Sequence, residues 1–147
     1  ENFMLSIGPL LGVVDSSPQF HLMPPFIRYL TEVAFIQLGD ATITGIPGEL
    51  YPEIAVGGIE SPKGADFAIE PQEVPPLRGQ LPGKLNLMVN LANDAIGYII
   101  PKSEWDKDAP WIYDEAEETY GEVVSLGPNT APIIHQTVIK LAEESKP

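Results

Sequence analysis

Glu49 is the first residue of this chain whose placement invites chemistry. It lies in the stretch Ile43-Thr-Gly-Ile-Pro-Gly-Glu-Leu-Tyr-Pro-Glu53, where a β-branched run stops at Pro47-Gly48 and a carboxylate follows at once. A carboxylate at a strand end is placed to do chemistry. The same residue also reads as an acid in the first turn of a short helix, favoured there by the helix dipole, and both readings stay open on this stretch alone. A second concentration of reactive types runs from Glu104 to Glu122, with Asp106, Asp108, Asp114, Glu115, Glu117 and Glu118 interleaved with Trp105, Trp111 and Tyr113. Asp106-Lys-Asp108 superficially suggests a calcium loop. Pro110-Trp111 occupies the place of the required glycine turn, however, and the closing bidentate Glu at loop spacing is missing. The segment reads instead as a solvated acidic face whose tryptophans rim a neighbouring surface or a ligand entrance. The only two histidines are His21 and His135. His135 reads as a polar-edge or buried, hydrogen-bonded side chain rather than a ligand.

The elements that must position these residues follow from periodicity. Val33–Leu38 and Ala41–Ile46 are apolar and rich in β-branched residues, and Gly39-Asp40 between them is a two-residue turn that needs positive φ, so they predict a hairpin. Leu50, Ile54 and Ala55 carry a short helical spacing in which Pro52 is tolerable only within the first turn, which puts Gly48-Glu49 at a strand-to-helix junction. Pro18, Pro24 and Pro25 punctuate a loop before the hairpin, and Pro25–Leu30 predicts a short helix start. Residues 60–83, with Pro62, Pro71, Pro75, Pro76 and Pro82, predict a long Pro-rich loop. Leu85, Leu87 and Val89 alternate as a strand within Lys84–Leu91, and after the polar Asn93-Asp94 a second apolar run covers Ala95–Ile100. The acidic, tryptophan-bearing segment then occupies residues 101–119. Toward the end, Asn129 or Thr130 can cap a helix with Pro132 in its first turn, and Ile134, Val138, Leu141 and Ala142 make one apolar stripe that predicts packing on a sheet. The whole predicts an α/β fold, a mixed or mainly antiparallel sheet covered by the C-terminal helix, either as one domain or as part of a larger layered α/β domain.

Composition bounds the function. A chain of 147 residues with 44% hydrophobic content can bury one core. Its net charge of −13, with eight scattered Lys and Arg, argues against nucleic acid as a partner, because phosphate binding needs clustered cations. The absence of cysteine rules out disulfides and thiolate metal sites. The longest apolar run, Phe3–Val14, is broken by Ser6, Pro9 and glycines and follows Glu-Asn without a basic region, so it reads as neither a signal peptide nor a transmembrane segment. A chain that opens this way is expected to be cut from something longer.

Three separated stretches stand in a telling order: Ala41-Thr-Ile-Thr-Gly-Ile-Pro-Gly-Glu49, Leu91-Ala-Asn-Asp-Ala-Ile-Gly-Tyr-Ile-Ile100, and Tyr120-Gly-Glu with Gly127-Pro128. Together, over roughly residues 30–145, the chain resembles the last third of the catalytic domain of neutral, non-lysosomal ceramidases. The resemblance implies a zinc ion held by two histidines from the earlier part of that domain, by Glu49 and by Tyr98. It makes Tyr120 the counterpart of a second tyrosine that faces the reacting carbonyl and stabilises the oxyanion. It further implies a lipid amide substrate such as ceramide, cleaved to a fatty acid and a sphingoid amine. The remaining N-terminal part of the catalytic domain becomes a necessary partner, and the location is expected to be secreted or periplasmic.

The residue types suit that chemistry. Zinc accepts oxygen ligands alongside imidazole, and a divalent cation favours the phenolate of a tyrosine whose free pKa is about 10. An uncoordinated tyrosine can donate a hydrogen bond to the oxygen that develops charge when water attacks an amide. On residue type alone Tyr98 is also a strand aromatic packed on the core. The chain departs from the family in three ways. Residues 101–119 lengthen the interval between the two tyrosines, neither histidine stands in a His-x-His setting, and the family's oxyanion-side arginine has no counterpart. The chain is therefore expected to hold half of a site and to bind zinc only with histidines supplied from outside it. The alternative is a non-catalytic α/β module whose acidic, aromatic loop binds a partner or small ligand, Glu49 serving only as a helix-terminus acid.

Overall fold

A computed structural model describes residues 16–19, 26–106 and 108–146. The chain divides into two units, Glu1–Thr31 and Glu32–Pro147. In the first, β1 (Ser16–Gln19) pairs antiparallel with β2 (Phe26–Tyr29), Ser16 opposite Tyr29 and Gln19 opposite Phe26. The helix start expected at Pro25–Leu30 is thus corrected to a strand. Phe, Ile and Tyr favour the pleated surface over a helix, and proline precedes a strand as readily as it opens a helix. His21 lies outside the described residues.

In the second unit, β3 (Ala34–Leu38) and β4 (Ala41–Gly45) form the expected hairpin, with Leu38 opposite Ala41. Gly39 takes φ +59°, as a primed two-residue turn requires. On its other side β4 pairs in parallel with β6 (Leu85–Val89), giving a mixed three-stranded sheet in the order β3-β4-β6. The parallel crossover from β4 to β6 carries the short helix α1 (Pro52–Val56), which starts on its proline, and a Pro-rich stretch whose one regular piece is a 3₁₀ turn at Leu77–Gly79. A second, two-stranded parallel ladder joins β5 (Glu49–Leu50) to β7 (Tyr98–Ile99). Two 3₁₀ turns, Lys102–Glu104 and Ile112–Asp114, follow, then α2 (Tyr120–Val123) and the terminal helix α3 (Thr130–Glu144). The fold is α/β, a mixed sheet with a C-terminal helix, as the sequence predicts.

The core lies where α3, α1 and the β5–β7 ladder meet. Ala131, Ile134, Val138 and Ala142 bury one stripe of α3 against Ile46, Leu50, Ile54, Leu77, Leu81 and Ile99. Leu141, on the predicted stripe, is only half-buried. The cap of α3 differs from expectation: the Asn129 carbonyl accepts from Ile133 N at 3.2 Å, but its side chain does not cap the helix, and its Oδ1 accepts from Lys102 Nζ at 2.9 Å instead.

Register decides which face of the three-stranded sheet is covered. Phe35, Thr44 and Met88 stand in one row and Gln37, Thr42 and Asn86 in the next. Phe35 and Met88 from these rows pack against the core, and Thr42 and Thr44 are fully buried. Thr42 Oγ1 donates to Asn86 Oδ1 at 2.5 Å. The opposite face carries Ile36, Ile43 and Leu87 in one row and Leu38, Ala41 and Leu85 in another. There Ile36, Leu38, Leu85, Leu87 and Val89 remain 46–64% exposed. The more polar face is therefore inside and the more apolar face open.

Candidate functional site

Glu49 reaches its place because the chain between β4 and α1 is laced to the segment before β7. Ala92 N donates to Ile46 O at 2.9 Å, Ile96 N to Pro47 O at 2.9 Å, Glu49 N to Gly97 O at 2.9 Å and Tyr51 N to Ile99 O at 3.1 Å. Gly48 permits the approach, since a Cβ there would run into the Gly97 carbonyl. Glu49 thus belongs to a strand of its own, and the acid in the first turn of α1 is Glu53. The helix-terminus reading of Glu49 is set aside by this placement.

Pairing in β5–β7 sets Glu49 directly beside Tyr98. Interaction with the neighbouring Glu49 carboxylate, hydrogen bonding ahead of charge, pushes the Tyr98 phenol above its ordinary pKa. The ring of Tyr98 stands edge-on between two others, 6.0 Å between centroids from Tyr51 on one side and 6.0 Å from Tyr120 on the other. Edge-to-face packing at that separation is favourable for aromatic quadrupoles. Tyr98 is half-buried, so it is not the core aromatic that its residue type allowed.

Tyr120 is brought to the same place by two close backbone approaches. It opens α2, whose exit runs alongside β7 so that Ser125 forms a parallel bridge with Tyr98. Gly97, at φ +89°, makes room for that passage, because a Cβ there would collide with the Val124 carbonyl. Gly121 similarly lies against the Tyr51 hydroxyl, which would have to move aside for a Cβ. The Tyr120 side chain is 72% exposed, its ring touching Tyr98 and its remainder open to a ligand. The interval of residues 101–119 therefore does not displace Tyr120 from Tyr98; it loops out and returns.

That interval is less uniformly solvated than the sequence suggests. Glu115, Glu117 and Glu118 are exposed, but Asp106 and Glu122 are buried, at 1% and 4% exposure. Asp106 N donates to Glu122 Oε1 at 3.0 Å and Ile112 N to Asp106 Oδ2 at 2.7 Å, while Asp106 Oδ1 and Glu122 Oε2 have no hydrogen-bond partner among the described residues. Burial first, and the Asp106 charge second, push Glu122 up to about 7. Periodicity could not reveal this pair, because both residues sit in an irregular segment where acids are ordinarily solvated. Tyr51, the third ring of the cluster, carries no sequence signal beyond its place two residues after Glu49.

His135 is a buried structural residue, its Nε2–H donating to the Pro75 carbonyl at 2.9 Å. Among the described residues no group of three or more His, Asp or Glu side chains could hold a metal ion. Glu49 and Tyr98 offer two adjacent oxygens, which fits part of a zinc site and not the whole of one. No described helix is long and apolar enough to cross a membrane. No protein-family model matches the chain, and neither a curated protein nor a solved structure matches it.

Proposed function

We propose that the chain supplies the carboxylate–phenol half of a zinc-dependent amide hydrolase that cleaves ceramide-like N-acyl lipids to a fatty acid and a sphingoid amine. The observation that carries this reading is the register pairing of Glu49 with Tyr98, with Tyr120 against the Tyr98 ring. The motifs that resemble neutral ceramidases are distant in sequence, and their three predicted site residues gather at one place. Glu49 and Tyr98 would hold the metal, with imidazoles from outside this chain completing the set. When bound, zinc supplies Lewis-acid polarisation of the amide carbonyl and activation of water. As metal ligands bind deprotonated, Tyr98 would hold such an ion as its phenolate, beside the Glu49 carboxylate. Tyr120, exposed and uncoordinated, would donate its hydroxyl hydrogen to the carbonyl oxygen as negative charge builds there. The C–O bond to water's oxygen forms first, as charge moves onto the carbonyl oxygen, and the C–N bond then breaks as the carbonyl re-forms and the amine leaves with a proton from water.

The second reading is a non-catalytic α/β module whose acidic, aromatic loop binds a partner or small ligand. Zinc content separates the two. In the complete protein, Glu49→Ala is expected to abolish bound zinc and ceramide hydrolysis together. Tyr120→Phe should keep the metal and lower the catalytic rate by a factor on the order of one hundred, the effect of one missing oxyanion donor. Full zinc content and normal turnover in Glu49→Ala would refute the proposal.

A further inference from the structure

A second site lies apart from the tyrosine cluster. The loop after Ile59 and the 3₁₀ turn at Ile112–Asp114 enclose an open pocket of about 460 Å³, lined by Glu60, Lys63, Pro110, Trp111, Tyr113 and Asp114 among others. It shares no lining residue with Glu49, Tyr98 or Tyr120. The volume is in the range of small-molecule sites and far exceeds what a bare metal ion needs. Two large aromatic residues and two carboxylates meet there, a combination suited to a ligand both apolar and positively charged.

The aromatic wall is built at a conformational cost. Tyr113 and Asp114 are consecutive non-glycine residues at φ +57° and +56°, a left-handed region that ordinary side chains seldom adopt. That backbone leaves the Tyr113 hydroxyl 3.0 Å from Glu60 Oε2, to which it donates. Glu104 joins the group through its Oε1, which accepts from Glu60 N at 2.8 Å. Partial burial, the bond to Glu60 and the charges of Glu104, Glu60 and Glu53 push Tyr113 up to about 12, so negative potential converges on this wall. The one cation in the lining, Lys63, forms no ion pair with Glu60 or Asp114 among the described residues.

We propose that this pocket binds an organic ammonium ion, with Glu60 and Asp114 meeting its charge and the rings of Trp111 and Tyr113 its alkyl groups. Quaternary and alkylated ammonium ions are held elsewhere by aromatic faces through the ring quadrupole, and a chain of net charge −13 favours cations at its surface. The site is independent of any metal at Glu49.

Titration of the full chain with choline, followed by the indole resonances of its tryptophans, tests this. The expected result is a saturable shift with choline and at least about tenfold weaker binding of its uncharged isostere, in which carbon replaces nitrogen. Trp111→Ala and Glu60→Gln should each weaken choline binding by about tenfold. Asp114→Asn, which leaves both rings in place, should weaken it in the same direction. An unchanged far-UV spectrum establishes that each variant is folded. Equal affinity for the isostere, preferential saturation by a neutral sugar, no saturable shift, or full choline binding by folded Glu60→Gln and Asp114→Asn would each overturn the proposal.

Discussion

At the scale of single residues, the informative unit is a phenol set beside a carboxylate. Hydrogen bonding toward the Glu49 carboxylate, and then its charge, raise the Tyr98 phenol and so hold it neutral. Without metal, Tyr98 should therefore ionise above the ordinary tyrosine value, and Glu49→Gln should bring its titration back down, read as tyrosinate absorbance against Tyr98→Phe. A Tyr98 titration unaffected by Glu49→Gln would break the link between the two. Glu122 makes the opposite kind of statement, about folding. Its folded value is raised from 4.5 to about 7 beside buried Asp106, so the native state keeps a proton that the unfolded chain has released. This contribution is fully present below pH 4.5 and is lost as pH rises through about 7. Its slope is at most about 1.4 kcal/mol per pH unit for one proton. Urea midpoints measured from pH 5 to pH 8 should fall, and Glu122→Gln should flatten that fall; an equal slope in the variant would remove Glu122 as its source.

At the scale of elements, the site is assembled by short ladders and close backbone passages rather than by long strands. β5 and β7 have two residues each, so their relative position depends on the surrounding laced loops. Gly97 is the joint between them and α2. It combines φ +89° with contact against the Val124 carbonyl, so Gly97→Ala meets both a backbone penalty and a collision. The expected loss is about 2 kcal/mol or more of folding stability, and the Tyr120 ring should leave Tyr98. Denaturant unfolding together with the ring-current shifts of Tyr98 checks both. A variant with wild-type stability and unchanged shifts would show that the passage is looser than its geometry. Gly79, which has no neighbour close enough to be met by a Cβ, serves as the control.

At the scale of the whole unit, the sheet is inverted relative to its sequence pattern. Leu85, Leu87 and Val89 alternate as a half-buried strand should, yet they point to the open face beside Ile36 and Leu38. An apolar surface of this kind ordinarily meets a partner surface, and both β3 and β6 end the sheet as edges. If the remaining part of a catalytic domain covers this face, the 147-residue chain alone should self-associate. Light scattering at rising concentration should show oligomers, and Leu87→Lys, on the exposed face, should disperse them without loss of secondary structure. A clean monomer at high concentration would count against a covering partner.

Local chemistry made much of this legible before any coordinates. The Gly39-Asp40 turn specified the β3–β4 hairpin through the φ it demands, Pro52 marked the first turn of α1, and the 3.6-residue stripe of Ile134, Val138 and Ala142 placed α3 on its core. Those signals act within a few residues, which is why a sequence carries them openly. The convergence of Glu49, Tyr98 and Tyr120 was accessible only through ordered motifs, since no periodicity joins positions so far apart. Tertiary structure decided the rest: the strand at Phe26–Tyr29, the burial of Asp106 and Glu122, and the face of β6 that meets the core. Each of these depends on what lies across a ladder or behind a loop. A period of two determines that side chains alternate, but only the neighbouring strand and helix determine which of the two faces is inside.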